Sequence, residues 1–293
     1  GLAFKQKSEG LELIQRSIQK INRDHGTNYT WSVARLNAAD YGVPQLRERV
    51  FIVGARDGVP FTFPEPTHGS AISGELPLGK APYATAWDSI GDLEEDDDPS
   101  IRVRGKWANL LPSIPEGENY LWHTARGGGL QLFGWRRRYW SFLLKLAKAL
   151  PSWTIQAQPG PAIGPFHWKN RRLSARELCR LQTIPDRYEI LGGLGSVQRQ
   201  LGNAVPSAMA EVLAREIRRQ LLGNPVLGES SLVPRPRHPT PPPEPLKPVP
   251  LSEYGQLIGD HDAHPGTGKG YGARRRAWPD ENPELNEAQL AIA

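Results

Sequence analysis

An α/β architecture is predicted for this chain on three observations. One long stretch near the start has helical periodicity, two apolar runs of strand length are separated by a turn, and two later segments carry helix start and stop signals. From Ser8 to His25, Leu11, Ile14, Ile18 and Ile21 recur at helical spacing, and Gly26 stands where a helix stops. Tyr29 to Leu36 reads as a strand, "NAADYG" as a turn, and Val50 to Gly54 as an apolar, buried strand. Helix, strand, turn and strand in that order suggest the edge of an α/β layer rather than a complete domain. Farther on, Ser174 and Glu177 form an S-x-x-E capping box that opens a short helix ending before Pro185. "QRQLGNAVPSAMAEVLAREIRRQLL" places a turn at Gly202 and Asn203 and Pro206 near a helix start. Met209, Val212, Leu213 and Ile217 form that helix's buried stripe.

The 293 residues suffice for a sizeable core and two folded domains. A formal charge of +5 and a pI near 9.3 are mildly basic and do not alone establish a nucleic-acid partner. The single cysteine, Cys179, excludes an internal disulfide framework and a zinc knuckle and fits a reducing compartment. No stretch approaches the roughly 18 consecutive apolar residues of a membrane span and no signal peptide is visible, so a soluble, cytoplasmic protein is expected.

Residues 41–56, "YGVPQLRERVFIVGAR", place Gln45, Arg47 and Arg49 two apart, which on an extended chain aims all three at one face. Such a triplet is either a solvated strand end or a clamp for something flat and anionic, because arginine presents a planar fork of donors suited to phosphate.

From about Pro60 to Asn119 the chain is rich in Pro, Gly and turn residues, with an acidic run "DLEEDDDPS" that reads as a solvated loop. The composition then reverses. Between Glu118 and Glu177 there is no acidic residue, while ten Lys or Arg occur, interleaved with aromatics such as Trp122, Trp135, Trp140 and Trp168. A field of one sign suits a polyanion, with binding that falls as salt rises. Within it "GWRRRYWSFLLKLAKALP" reads as a helix, with Trp140, Leu143, Leu144 and Ala147 on one face and Pro151 as the stop. Arg136, Arg137 and Arg138 would open that helix where its dipole disfavours positive charge, and a docked phosphate would resolve the conflict. Cys179, inside a helix and flanked by leucines, reads as an inert core residue. After Gly223 the chain is proline-dense and too poor in apolar residues for a core, so residues 224–293 are expected to form a disordered tail. "GTGKG" lacks the strand and hydroxyl of a phosphate loop, and "ARRRAW" could touch DNA weakly.

Three segments, in order, resemble the DNA cytosine-5 methyltransferases of bacterial restriction–modification systems. "YGVPQLRERVFIVGAR" is similar to the family's Gln-x-Arg-x-Arg segment, "RRLSARELCRLQTIPDRY" to its Arg-Glu-x-x-Arg-Leu-Gln-x-x-Pro segment, and "QLGNAVPSAMAEVLA" to its closing Gly-Asn-Ala-Val-Pro segment. The resemblance implies the C-terminal part of a Rossmann-like methyltransferase domain with a small inserted target-recognition domain. Residues 1–58 would be C-terminal strands of the catalytic domain, 59–170 the recognition domain, 171–223 the hinge and closing helix of the catalytic domain, and 224–293 the disordered Pro-rich tail.

It also implies a reaction in which a cytosine is flipped out of double-stranded DNA and methylated at C5 from S-adenosylmethionine. Arg47 and Arg49 would hold the flipped nucleotide and its phosphate, and Gln45 the neighbouring backbone. Asn203 would help close the methyl-donor pocket, and Arg176 and Glu177 would stabilise the hinge. Arg126, the loop Gly127, Gly128 and Gly129, and Trp135 to Arg138 are the candidate DNA contacts. The family's Pro-Cys-Gln and Glu-Asn-Val segments and its glycine-rich donor loop do not occur in this sequence. The expectation is therefore a C-terminal portion, inactive alone and paired with an N-terminal half that brings the nucleophilic cysteine. The alternative is a DNA-binding module without catalysis.

Overall fold

A computed structural model of the chain describes residues 9–70, 78–95, 98–134, 139–226, 228 and 230–259. Helix α1 spans Glu9–His25, with Glu9 and Glu12 in its first turn and Arg23 and His25 in its last, each charge complementing the dipole. Gly26 ends it at φ 61°, a left-handed conformation that glycine adopts without strain. Although Leu11, Ile14 and Ile18 line one face as the spacing predicts, no residue of α1 is buried.

Strand β1, Thr30–Asn37, runs antiparallel to β3, Glu48–Ala55, in a register that sets Thr30 opposite Ala55 and Asn37 opposite Glu48. Between them lie a 3-10 turn, Ala38–Tyr41, and the two-residue strand β2, Gln45–Leu46. The Asn37 side chain caps the turn, and Gly42 closes it at φ 83°. The apolar run at Val50 to Gly54 is a strand, but none of it is fully buried, because among the described residues its only ladder partner is β1.

Two short parallel pairs follow, β4 (His68–Gly69) with β5 (Ala81–Pro82), and β2 with β6 (Ser152–Trp153). The helices are α2 (Ala86–Ile90), α3 (Ala175–Leu181), α4 (Leu194–Asn203), α5 (Ser207–Gln220) and α6 (Leu251–Tyr254). The capping box of α3 forms as its spacing predicts, and Cys179 is buried within it. Gly202 and Asn203 are the last residues of α4 rather than a turn; the bend falls one step later, at Ala204, which is extended at φ −73° and ψ 158°. Met209 and Leu213 are buried on α5, while Val212 and Ile217 are half-buried.

Apolar side chains gather in three clusters. Ala38, Tyr41 and Val43 pack with Ala208, Met209 and Leu213, so the early turn rests on α5. Ile90, Ile155 and Trp168 pack with Leu178, Leu181 and Leu201 from α3 and α4. Leu110, Ile114, Tyr120, Leu143 and Phe166 form the third, around an aromatic set of Trp107, Phe133 and Phe142.

Two expectations are corrected here. Residues 139–150 are not a helix but an irregular path with bridges from Phe142 to Ile163 and from Lys145 to Phe166. Leu143, Leu144, Lys145, Leu146 and Lys148 are all buried, and Leu143 takes φ 54°. A helix can bury one stripe, whereas this segment is surrounded, and its amides bond laterally to Glu118 and Phe166 instead. Residues 135–138, with Trp135 and the three arginines, lie outside the described residues.

The second correction concerns the tail. Residues 230–259 are packed: Leu232 and Val233 join the cluster on α5, Glu244 pairs with Lys148, and Tyr254 is buried in the third cluster. The segment needs no core of its own because it borrows the surfaces of others. "GTGKG" and "ARRRAW" fall outside the described residues. Among the described residues no helix is long and apolar enough to cross a membrane.

Candidate active-site floor

Between β2 and β3 the strand breaks at Arg47, and the three aimed side chains part company. Gln45 and Arg47 are buried, whereas Arg49 is exposed and donates to Glu48 O at 2.6 Å. Gln45 Nε2 donates to Leu181 O at 3.2 Å, where α3 ends, and its Oε1 accepts from Ile155 N at 3.3 Å and Arg47 Nη1 at 3.5 Å. Arg47 Nη2 donates to Gly202 O at 2.7 Å and Ala204 O at 2.8 Å, and Nη1 reaches Ile155 O at 3.4 Å. The guanidinium thus sits at the negative end of α4, where unpaired carbonyls and the helix dipole favour a cation. Burial, with a smaller repulsion from Arg49, brings its pKa down to about 10, so it remains charged at neutral pH.

The two carbonyls that Arg47 Nη2 binds belong to the residues on either side of Asn203. Arg47 is therefore not a free cation offered to a ligand; it holds the chain that displays Asn203, which is exposed at the end of α4. Gly202 allows this approach. A Cβ there would stand 2.4 Å from both Ala157 Cα and Ala157 N, so α4 and residues 156–157 meet backbone to backbone. Gln182 closes the other side, its Nε2 donating to Leu201 O at 2.6 Å, while Thr183 Oγ1 accepts from Ala208 N at 2.8 Å.

Asn37, Gln182, Thr183 and Gly202 were not singled out from the sequence as individual site residues. Asn37 Oδ1 accepts from Arg47 N at 3.0 Å and fixes the point where the strand breaks. A buried role for Gln182 could have been suspected from its place in the Leu-Gln-x-x-Pro segment, but nothing local shows which carbonyl it meets.

Glu177 anchors α3 from beneath. Both Nη atoms of Arg171 donate to it at 2.8 Å, and Arg171 also bonds Leu93 O and Glu94 O beyond α2. Arg176 is more exposed and donates to Asp186 O at 2.8 Å. Arg126 and Gly127–Gly129 form a surface loop folded over Trp122. A Cβ at Gly127 would lie 2.3 Å from Trp122 O and one at Gly129 2.5 Å from the indole Nε1, so these glycines are required by close approach. The side-chain bonds of Arg47 run to Gln45, Ile155, Gly202 and Ala204 and not to this loop. A cleft of about 540 Å³ lies elsewhere again, between α2, α3 and residues 231–237.

The family model of the C-5 cytosine-specific DNA methylases matches residues 5–219. The chain belongs to that family. Over 211 residues it is 44 % identical to the type II methyltransferase M.SacI of Streptomyces achromogenes, a match covering 68 % of this chain and 54 % of that one. It is 34 % identical over 213 residues to the type II methyltransferase M.NgoFVII of Neisseria gonorrhoeae, covering 69 % and 54 %. Among solved structures, the Dnmt2 methyltransferase of S. pombe superimposes with a TM-score of 0.44 at 14 % identity, covering 71 % of this chain and 62 % of the other. The chain spans about half the length of the curated relatives it matches. As a member of the methylase family it carries the buried Gln45–Arg47 knot inside the matched region.

Proposed function

We propose that this chain is the C-terminal portion of a DNA cytosine-5 methyltransferase of a restriction–modification system, completed by an N-terminal half that supplies the cysteine nucleophile. The observation that carries this reading is the Gln45–Arg47 knot. A buried, charged side chain is costly to keep, and here it fixes the segment that displays Asn203. Arg49 would contact the flipped nucleotide, Arg47 would act as a positioning residue, and Gln45 would hold the backbone at Ile155 and Leu181. An exposed carboxamide, donor and acceptor at once, fits the polar edge of S-adenosylmethionine. Asn203 is therefore the residue that would help hold that donor, which supplies an electrophilic methyl group when bound. Arg126, the Gly127–Gly129 loop and Trp135 to Arg138 would contact duplex DNA.

The need for a second half is supported by the N-terminal elements. Helix α1 has an apolar face and no buried residue, Leu13 is 65 % exposed, and the apolar side chains of the β1–β3 pair are at most half-buried. A two-stranded sheet has little stability unless another layer covers it.

The test is transfer of labelled methyl from S-adenosylmethionine to duplex DNA by this chain alone and mixed with an N-terminal half from a relative. Activity only in the mixture supports the reading. Salt-dependent DNA binding with no activity in either would favour a binding module without catalysis, and activity from this chain alone would refute the assignment of the nucleophile to another half.

A further inference from the structure

The family match ends at residue 219, yet residues 230–259 beyond it pack on two of the three apolar clusters. Leu232 and Val233 lie against the cluster formed by the early turn and α5. Arg237 N then donates to Asp88 Oδ1 at 2.7 Å, and its guanidinium pairs with Asp92 at 2.9 Å, beside α2. Glu244 is met by Lys148, a buried cation whose three protons go to Glu116 at 2.7 Å, Glu244 at 2.8 Å and Pro242 O at 3.1 Å. Lys247 N donates to Pro112 O at 3.1 Å. Tyr254, 1 % exposed, stacks on Trp107 with centroids 5.9 Å apart and planes 12° apart, and its hydroxyl donates to Lys106 O at 2.8 Å.

These contacts are not incidental surface adhesion. Without Glu244 the buried Lys148 would lose a counter-charge, and without Tyr254 the aromatic set under residues 119–133 would be open to water. The prolines favour this docking, since they restrict the unfolded chain and less entropy is lost when the segment is laid down. An extended proline-rich run also needs no ladder partner.

We propose that residues 230–257 are a built-in clamp that sets the position of residues 103–134 and 139–166, and with them the Gly127–Gly129 loop, relative to α2 and α5. The consequence for DNA rests on the reading of residues 126–129 as DNA contacts; the clamp itself does not.

Hydrogen exchange on the full chain tests it, comparing wild type with Tyr254→Ala, Tyr254→Phe and Glu244→Gln well below their melting temperatures. Exchange of backbone amides in residues 107–134 should rise about tenfold or more in Tyr254→Ala and Glu244→Gln while α5 and the β1–β3 pair stay protected, and Tyr254→Phe should restore most of the protection. Unchanged exchange in residues 107–134, or a rise spread evenly over the chain, would overturn the clamp. In parallel, affinity for duplex DNA should fall several-fold in Tyr254→Ala and recover in Tyr254→Phe. If the loosened variant binds DNA as tightly as wild type, the positioning role falls. If wild type itself does not bind DNA, the functional reading fails, and exchange alone decides the clamp.

Discussion

Replacing Glu177 with Gln probes the charge cluster that holds α3 to the segment before it. Glu177 is fully buried between Arg171 and His167, whose Nε2 lies 3.2 Å away. Lys169 N donates to His167 Nδ1 at 3.0 Å, which leaves the neutral ring's proton on Nε2, facing the carboxylate. Burial alone would push the Glu177 carboxyl up, but the hydrogen bonds and charges of Arg171 and His167 outweigh it and hold the pKa at about 2, against 4.5 ordinarily. The gap from 4.5 to 2 corresponds to about 3 kcal/mol of stability.

Because the folded-state pKa is depressed, that contribution is complete above pH 4.5 and is lost as pH falls from 4.5 toward 2. His167, lowered by burial, acts earlier: protonating it opposes folding as pH drops below 6.5. Gln keeps the shape but leaves Arg171 without its counter-charge, so at pH 7 the variant should be less stable by about 3 kcal/mol. Urea unfolding followed by tryptophan fluorescence at several pH values gives the number. The gap between wild type and Glu177→Gln should persist from about pH 7 to 5 and close as pH approaches about 2. A gap under about 1 kcal/mol at neutral pH, or one that acid does not shrink, refutes the reasoning.

Arg47→Ala strands the carbonyls of Gly202 and Ala204 and should cost about 2–4 kcal/mol, whereas Arg49→Ala should change stability by less than about 0.5 kcal/mol in the same urea assay. In a reconstituted enzyme Arg49→Ala should cut methyl transfer far more than DNA binding, and equal losses would reduce Arg49 to general electrostatics. Gly202→Ala drives a methyl into Ala157 and should cost about 1–3 kcal/mol by denaturation; a neutral result would mean the two backbones separate freely. Lys145, buried beneath Ile114 O, has its pKa lowered by burial to about 8, partly offset by Glu116 and Glu244. The unfolded lysine keeps its proton up to 10.5 while the folded one releases it near 8, so wild-type stability should gain from rising pH in that window. Thermal melts of Lys145→Met across the same window should lack that gain, and an equal gain in the variant would exclude Lys145 as its source.

Much of the chain was legible locally. The α3 capping box, the stop at Gly26, the face of α5 that carries Met209 and Leu213, and the existence of strands β1 and β3 all follow from spacing, because each is decided by groups within a few residues or by one repeated apolar face. The stretch at residues 139–150 misled because its leucines suit a helical stripe, while burial on every side and lateral partners at Glu118 and Phe166 come from residues distant in sequence. The tail misled for a related reason: its composition cannot build a core, but composition says nothing of cores built elsewhere.

By itself the sequence determined the family, through three ordered segments, and placed Gln45, Arg47 and Arg49 at alternate positions beside a strand, because side-chain type and spacing are local properties. Tertiary structure decided what those side chains do. Gln45 and Arg47 turn inward to the carbonyls of Ile155, Leu181, Gly202 and Ala204, and only Arg49 faces out. A two-residue period cannot make that distinction, since it sets a direction relative to the strand but not what lies there. That depends on where α3 and α4 end, and their ends are placed by packing more than a hundred residues away in the chain.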